Sequence, residues 1–282
     1  MERIKGLITA MVTPFKKGEL DEEGLVKNVA YQIEEGVDAL LILGSTGENA
    51  MLNPLERRRV MDIVIQESTI PVIVNTGTSS TLESIERSRE AESLGADALL
   101  IVTPPYVKPM NEGIYYHYKS ISEAVSIPLI VYNIPGRSAK NIDVPTMKRI
   151  AKLPQVIGVK ESSGNVDQAV HVMHEWSLFA GDDALSLPLI ALGASGLFSV
   201  ASNAFPKEMK ALVKACLDGD FVKARELYYP LVPLFDLLFS ETNPIGIKEA
   251  MNQLGLAAGS PRMPLMPMQE SEKMKDLLKD FK

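Results

Sequence analysis

The sequence is poor in cysteine and carries more acidic than basic side chains. Its 282 residues include one cysteine, with 36 aspartate and glutamate residues against 29 lysine and arginine residues. The single cysteine, Cys216, cannot form an internal disulfide, and its place in an apolar-periodic run predicts a small core residue rather than a nucleophile. The formal net charge of −7 offers no basic patch to phosphates or anionic lipids, so we expect neither nucleic acid nor a membrane as a partner.

Long apolar runs and glycine-rich nucleotide motifs are missing as well. The apolar stretch 7–12 is short and is soon followed by Pro14, so it predicts a strand rather than a signal or membrane segment, and we expect a cytoplasmic protein. After that strand the chain continues Val12-Thr13-Pro14-Phe15, which lacks the glycines of a dinucleotide-binding turn, and no P-loop pattern occurs. Both absences argue against nucleotide chemistry.

Short β-rich runs alternate with helical patterns over most of the chain. Strands are predicted at residues 7–11, 39–43, 72–75, 98–102, 129–133, 156–160, 177–180 and 197–200. Helix-start signals lie between them, at Asp21, at Asn111 and in the capping box from Asn53 to Glu56. Eight strands spaced by roughly 25 to 30 residues predict a closed (β/α)₈ barrel, also called a TIM barrel.

Beyond residue 218 the strand pattern stops. Helices are predicted at residues 221–239, 247–254 and 268–278, separated by proline-containing segments. We therefore predict two parts, an α/β catalytic barrel over residues 1–218 and a C-terminal helical extension over residues 219–282 that packs on the barrel.

Lys160 is the most informative residue of the predicted barrel, because it closes the apolar run 156–160. Strand alternation places Val156, Gly158 and Lys160 on one face, and Gly158 would leave room for a ligand beside the amine. Burial disfavours an ammonium ion, and a free amine can attack a carbonyl carbon to form a Schiff base. The alternative is a lysine that extends from a strand end into solvent.

Further polar residues follow other predicted strands. They are Gly44-Ser45-Thr46-Gly47-Glu48 after the second strand, Tyr106 after the fourth, Tyr132 at the end of the fifth and Asp182-Asp183 after the seventh. Active sites of such barrels lie at the carboxyl ends of the strands, so these residues are expected to meet at one mouth. The glycine-flanked turn is either a carboxylate-binding loop or a plain turn into the next helix. The tyrosines are either proton-transfer groups beside the lysine or core aromatics with solvated hydroxyls, and we interpret the two aspartates as caps of the following helix.

His171 and His174 lie on one predicted helix, away from the strand ends. Their spacing invites a metal-site interpretation, but no other histidine or cysteine ligand is at hand. We therefore expect no metal.

Together the motifs resemble those of a known family, the pyruvate-dependent class I aldolases of the dihydrodipicolinate synthase and N-acetylneuraminate lyase superfamily. The matching motifs are residues 44–48 (GSTGE), 132–138 (YNIPGRS), 158–161 (GVKE), 181–183 (GDD) and 243–248 (NPIGIK). The resemblance covers nearly the whole chain. It implies a (β/α)₈ lyase that needs no cofactor and no metal, because a protonated imine serves as the electron sink.

The resemblance also implies a role for each catalytic residue. Lys160 would form the Schiff base with pyruvate, and Tyr132 would donate and accept protons. Ser45 and Tyr106 would complete the proton relay. In this family the counterpart of Tyr106 reaches into the neighbouring subunit's site, so a homotetramer built as a dimer of dimers is implied.

Two carboxylate-binding groups are implied as well. Thr46, with backbone around Gly47 and Phe198, would hold the pyruvate carboxylate. An arginine at the position of Arg137 binds the carboxylate of L-aspartate-4-semialdehyde in the synthases, and a guanidinium fork suits that group. The implied reaction is an aldol condensation of pyruvate with this aldehyde to 4-hydroxy-tetrahydrodipicolinate, in lysine and diaminopimelate biosynthesis.

Two alternative functions stay open. One is a sugar-acid pyruvate lyase of the same superfamily, which would act on N-acetylneuraminate or 2-keto-3-deoxygluconate. The other is a barrel that binds pyruvate without catalysis, since a fold does not determine a function.

Several positions depart from the family's pattern. Ser45 stands where the synthases usually have threonine, Ala139 where glycine is usual, and Gly246 where proline is usual. In feedback-inhibited relatives a set of side chains binds lysine. The corresponding positions of this chain are Pro54, Arg57, Ser79 and Pro105, and Glu83 is retained. We therefore expect that lysine inhibits this protein weakly or not at all.

Overall fold

Eight parallel strands close into a barrel in the computed structural model, which describes residues 4–281. The barrel strands, labelled β1 to β8 in chain order, span Gly6–Ala10, Ala39–Ile42, Val72–Asn75, Ala98–Val102, Leu129–Asn133, Val156–Glu161, Ser177–Ala180 and Gly196–Ser199. Strand β1 pairs with both β2 and β8, which closes the sheet. The predicted (β/α)₈ barrel is confirmed, and β3, β4, β5 and β7 have the predicted bounds.

Helices surround the barrel and continue beyond its last strand. Helices α1 to α13 span Glu22–Glu34, Pro54–Glu67, Thr81–Leu94, Asn111–Ser122, Pro135–Ser138, Val144–Ile150, Val166–Val172, Ser186–Ala191, Pro206–Leu217, Phe221–Tyr228, Val232–Leu238, Ile245–Gln253 and Ser271–Leu277. Short 3₁₀ helices lie at Asn49–Met51, Asp183–Leu185, Ala201–Asn203, Tyr229–Leu231 and Leu278–Phe281, and a small hairpin pairs Phe15–Lys16 with Glu19–Leu20. Of the helices within residues 4–281, none combines the length and the apolar character that crossing a membrane requires.

The capping signals were predictive at two of three helices. The Asp21 carboxylate accepts from the backbone of α1, and the capping box joins Asn53 to Glu56 at α2. The prediction at Asn111 is wrong in detail, because this residue is the first of α4 and its side-chain amide instead donates to Asp143. The structure thus confirms the two caps that form between residues close in sequence. It corrects the one at Asn111, whose side chain bonds to a residue distant in sequence.

The helix predicted over residues 221–239 is divided into α10 and α11. One turn of 3₁₀ helix at Tyr229–Leu231 separates them. Pro230 and Pro233 lie at this junction, and neither has a backbone N–H for a continuous α-helical hydrogen-bond ladder.

Apolar side chains form two clusters, one inside the barrel and one between the barrel and its helices. The inner cluster contains Ile8, Ala10, Ala39, Leu41, Ile73, Ala98, Leu100, Ile130, Tyr132, Phe179 and Phe198. The larger outer cluster includes Cys216 on α9. Burial raises the pKa of the Cys216 thiol to about 11, so a thiolate is scarce and the residue acts as the small core side chain that was predicted.

Strand β6 differs from its predicted geometry in two ways. Its pairing with β5 shifts by one residue after Val156, which leaves Ile157 as the extra residue of a β-bulge. Val156 consequently joins the outer cluster while Ile157 packs against the inner one, so Val156 does not share a face with Lys160 as predicted. A Cβ atom on Gly158 would lie 2.3 Å from the backbone oxygen of Ser177, so the glycine permits close strand approach and does not make room for a ligand.

Candidate active site

Lys160 lies inside the barrel at the carboxyl end of β6, and only 5% of the residue is exposed. Its Nζ atom lies 4.2 Å from the centroid of the Tyr132 ring and 5.3 Å from that of the buried Phe198 ring. Tyr132 is its direct partner in the pairing of β5 with β6. The alternative of a lysine that extends into solvent is therefore wrong, and the side chain lies buried against the ring of a phenol.

A cavity of about 420 Å³ opens where the barrel strands end. Its walls include Ser45, Tyr132 and Arg137, three of the predicted site residues, together with Asn243. The strands bring Ser45, Tyr132 and Arg137 to one place because residues at or after the ends of parallel strands meet at the same end of a barrel. Asn243 reaches the same cavity from the segment before α12. A pocket of this volume suits a small organic acid.

The turn from Gly44 to Glu48 is fixed from two sides. The buried Thr46 hydroxyl accepts a hydrogen bond from Asn243 Nδ2 at 2.9 Å, and the Gly47 carbonyl accepts one from Thr13 Oγ1 at 2.7 Å. Because the Thr46 oxygen acts as an acceptor toward Asn243, its own proton is available to a further acceptor, such as a carboxylate. Asn243 was not predicted as a site residue, although it begins one of the quoted motifs.

Arg137 projects from α5, a short helix that follows β5. Its Nη2 atom donates to the Asn243 carbonyl oxygen at 2.9 Å, which leaves the other guanidinium N–H groups for a ligand. Ala139 ends this helix with φ at 56°, a left-handed conformation that favours glycine. This backbone conformation explains why glycine is usual in the family at this position. In this chain alanine adopts it.

Tyr106 is not brought together with the other predicted catalytic residues. It is 90% exposed, and its φ of 70° lies in the left-handed region. Among the described residues that form the cavity walls are its neighbour Pro105 and the relay residues Ser45 and Tyr132, but not Tyr106 itself. Within one chain the predicted relay has two of its three hydroxyls in place.

The interpretation of Asp182 and Asp183 as caps of the following helix is wrong. The buried Asp183 carboxylate accepts from the backbone N–H groups of Val200 and Ala201, so it caps the 3₁₀ turn after β8. Burial raises the pKa of Asp183 to about 6. Burial also raises the pKa of Asp182, while the charge of the nearby Lys160 acts in the opposite direction.

The two histidines lie away from the cavity. His171 is exposed, with Nε2 3.8 Å from Asp167. Over residues 4–281 no three His, Cys, Asp or Glu side chains are grouped so that they could hold a metal ion.

Comparison with known proteins gives the relationship of the whole chain. Residues 3–280 match the model of the dihydrodipicolinate synthetase family. The chain is 45% identical to the 4-hydroxy-tetrahydrodipicolinate synthase of Protochlamydia amoebophila, over 99% of this chain and 97% of the relative. The crystal structure of dihydrodipicolinate synthase from Aquifex aeolicus superposes with a TM-score of 0.96 at 39% identity, over 99% of this chain and 98% of that one.

The chloride-inhibited dihydrodipicolinate synthase of Acinetobacter baumannii, solved in complex with pyruvate, also has a TM-score of 0.96, at 38% identity over 99% of both chains. The resemblance found in the motifs is confirmed, and the chain belongs to the dihydrodipicolinate synthetase family.

Proposed function

We propose that this protein condenses pyruvate with L-aspartate-4-semialdehyde to 4-hydroxy-tetrahydrodipicolinate, through a Schiff base on Lys160. The observation that carries the proposal is the buried Lys160 amine, 4.2 Å from the centroid of the Tyr132 ring. The name of the Protochlamydia relative and the pyruvate complex of the Acinetobacter structure support the same reaction. The product would enter lysine and diaminopimelate biosynthesis.

The chemistry needs only groups that the chain supplies. The Lys160 amine attacks the ketone carbon of pyruvate and water leaves. The protonated imine then takes up the electron pair of a methyl C–H bond, while the proton passes to the Tyr132 relay, and an enamine results. The enamine carbon attacks the aldehyde, and the aldehyde oxygen takes a proton. The amino group of the adduct then attacks the imine carbon, which closes the ring and releases Lys160.

Three hydroxyl groups would move the protons in these steps. Tyr132 is the donor and acceptor, since its ring lies beside the amine, and Ser45 shares the cavity wall with it. Tyr106 is the third hydroxyl, and its exposure supports a position in another subunit's cavity. We accordingly propose a homotetramer, arranged as a dimer of dimers in the cytoplasm.

Separate groups would bind the two substrate carboxylates. Thr46, with backbone N–H groups near Gly47 and beside Phe198, would hold the pyruvate carboxylate in reach of Lys160. Arg137 would bind the carboxylate of the aldehyde at the outer wall of the cavity. The catalytic barrel would comprise residues 1–218, with residues 219–282 as the extension that supplies Asn243.

Arg137 gives the test that separates the proposed reaction from sugar-acid cleavage. The wild-type protein should form product from pyruvate and aspartate semialdehyde faster than it cleaves N-acetylneuraminate or 2-keto-3-deoxygluconate. Arg137→Ala should raise the KM for the aldehyde about 10- to 100-fold, as expected for loss of a charge-assisted hydrogen bond. Initial-rate assays at saturating pyruvate measure this, with Arg137→Lys as the matched variant that retains the charge. Faster cleavage of either sugar acid would contradict the proposed substrate.

Lysine should inhibit weakly or not at all. Arg57 and Arg87 line the cavity, and the pKa of Arg57 is lowered by burial and by the neighbouring Arg87 charge. Glu83, the retained carboxylate, is already paired with Arg87 at 2.6 Å, so a lysine ammonium would meet two arginine cations and a carboxylate that is already engaged. Initial rates measured from zero to millimolar lysine should stay nearly constant, and half-inhibition at micromolar lysine would contradict this expectation.

A further inference from the structure

The carboxylate-binding turn begins and ends in backbone conformations that its residues disfavour. Leu43, before the turn, has a φ of 57°, and Glu48, at its end, has a φ of 53°. Neither is a glycine, so each occupies the left-handed region against the steric preference of its side chain. Such conformations persist only where the surrounding structure holds them.

The Glu48 side chain is held by two residues of the C-terminal extension. Its Oε1 atom lies 2.5 Å from Lys248 Nζ, with the two side chains 0% and 1% exposed. Its Oε2 atom accepts the backbone N–H of Arg262 at 2.7 Å. Lys248 Nζ also lies 4.2 Å from the centroid of the Phe15 ring, so the ion pair is enclosed by protein.

Arg262 is itself fixed at several points around the same turn. Its guanidinium group donates to the carbonyl oxygens of Gly18 and Met51 and pairs with Glu56 at the start of α2. The residue that binds the Glu48 carboxylate is therefore itself bound to the chain before and after Glu48.

The same part of the chain also reaches Thr46. Asn243, whose amide donates to Thr46 Oγ1, lies just before α12, and Lys248 lies within that helix. The short segment from Asn243 to Lys248 thus provides both a contact to the middle of the turn and the cation at its end.

A buried ion pair is a weak source of stability, because desolvation of both charges offsets their attraction. Burial lowers the pKa of Lys248 to about 8, although Glu48 opposes the shift, which agrees with a large desolvation cost. The pair is better explained by the geometry it imposes than by the stability it adds.

We propose that Glu48 and Lys248 are positioning residues, which hold the Ser45-Thr46-Gly47 turn in the geometry that receives the substrate carboxylate. This inference rests on the proposed function, because the turn has that role only if pyruvate binds there. Neither residue contacts the substrate in this proposal, and both act through Thr46 and Gly47.

The decisive variant is the double substitution Glu48→Gln with Lys248→Met, which removes both charges and keeps the side-chain lengths. A single Lys248→Met would leave a buried carboxylate without its partner and would test folding instead. The matched control is Lys210→Met, which removes the ion pair of Lys210 Nζ with Asp38 at 2.6 Å, next to the amino ends of β1 and β2. Melting temperature, the KM for pyruvate and kcat are measured for each.

The double variant should melt at or above the wild-type temperature and show a KM for pyruvate raised about tenfold, the loss expected for about 1.4 kcal/mol of carboxylate binding. Its kcat should fall by a smaller factor, because the contact is made in both ground state and transition state. Lys210→Met should leave the KM for pyruvate unchanged. An unchanged KM in the folded double variant, an equal rise in the control, or failure of the double variant to fold would each overturn the inference.

Trapping with borohydride separates this inference from the proposed function. If wild-type protein forms no pyruvate adduct on Lys160, the proposed function fails. If wild type is trapped and the double variant reaches half-maximal adduct at the same pyruvate concentration, only the positioning role fails.

Discussion

Replacing Lys160 by arginine or by methionine should reduce kcat/KM by roughly four orders of magnitude or more, in the range seen when a covalent nucleophile is removed. Arginine carries a cationic group but is not a nucleophile at neutral pH, and methionine has a similar length and no amine. Neither change should lower the melting temperature much, because the side chain lies over the Tyr132 and Phe198 rings. Steady-state rates and thermal melts of the three proteins measure these effects.

The chemical event behind this loss can be detected directly. Wild-type protein incubated with pyruvate and borohydride should gain the mass of a reduced pyruvate adduct on the peptide that contains Lys160, and both variants should gain none. Lys248 is a second buried lysine of the same chain, but it is ion-paired with Glu48, so its peptide is an internal control that should stay unmodified. Absence of an adduct on the Lys160 peptide of the wild type would contradict the Schiff-base mechanism.

The barrel could be predicted because each βα unit leaves a local signature. The eight β-rich runs lie where the strands are found, and the boundaries differ by one residue at most. The bulge in β6 could not be predicted, since it arises from the pairing of one strand with another and leaves Ile157 as an extra residue. A pattern of alternation within one strand contains no information on such a shift.

The site could be predicted as far as its residues follow strand ends. Lys160 lies against the Tyr132 ring, and Tyr132 shares the cavity wall with Ser45, as the barrel topology predicts. The contacts that hold the site come from far along the chain, such as the bond from Asn243 to Thr46, which joins residues 197 positions apart. No local pattern indicates that pairing, and only the folded extension brings the two residues into contact.

The two aspartates after β7 show the same limit. An Asp-Asp pair before a helix favours a capping interpretation, yet Asp183 caps a turn that begins after a different strand. Local propensity predicted the type of interaction correctly and the partner incorrectly, since the partner depends on how β7 and β8 lie beside each other.

Tyr106→Phe should lower kcat by roughly 10²- to 10⁴-fold if its hydroxyl carries protons for the reaction. The side chain is 90% exposed, so we expect this hydroxyl to serve the cavity of a second copy of the chain. The KM for pyruvate should change little, because the proposed binding site of its carboxylate is Thr46 and Gly47. A matched change at another exposed tyrosine, Tyr116→Phe, should leave kcat unaltered, since Tyr116 lies on the helix after this loop.

A hybrid of two inactive variants tests whether the hydroxyl crosses between subunits. Chains with Lys160→Met and chains with Tyr106→Phe are co-expressed with different affinity tags, and complexes that carry both tags are purified. If Tyr106 serves its neighbour, a mixed pair has one site with an intact Lys160 and an intact Tyr106, and activity should recover to as much as about half of wild type. If Tyr106 serves its own chain, every site lacks one of the two groups and no activity returns. Recovery would therefore require the two chains to share each site, as the proposed oligomer does.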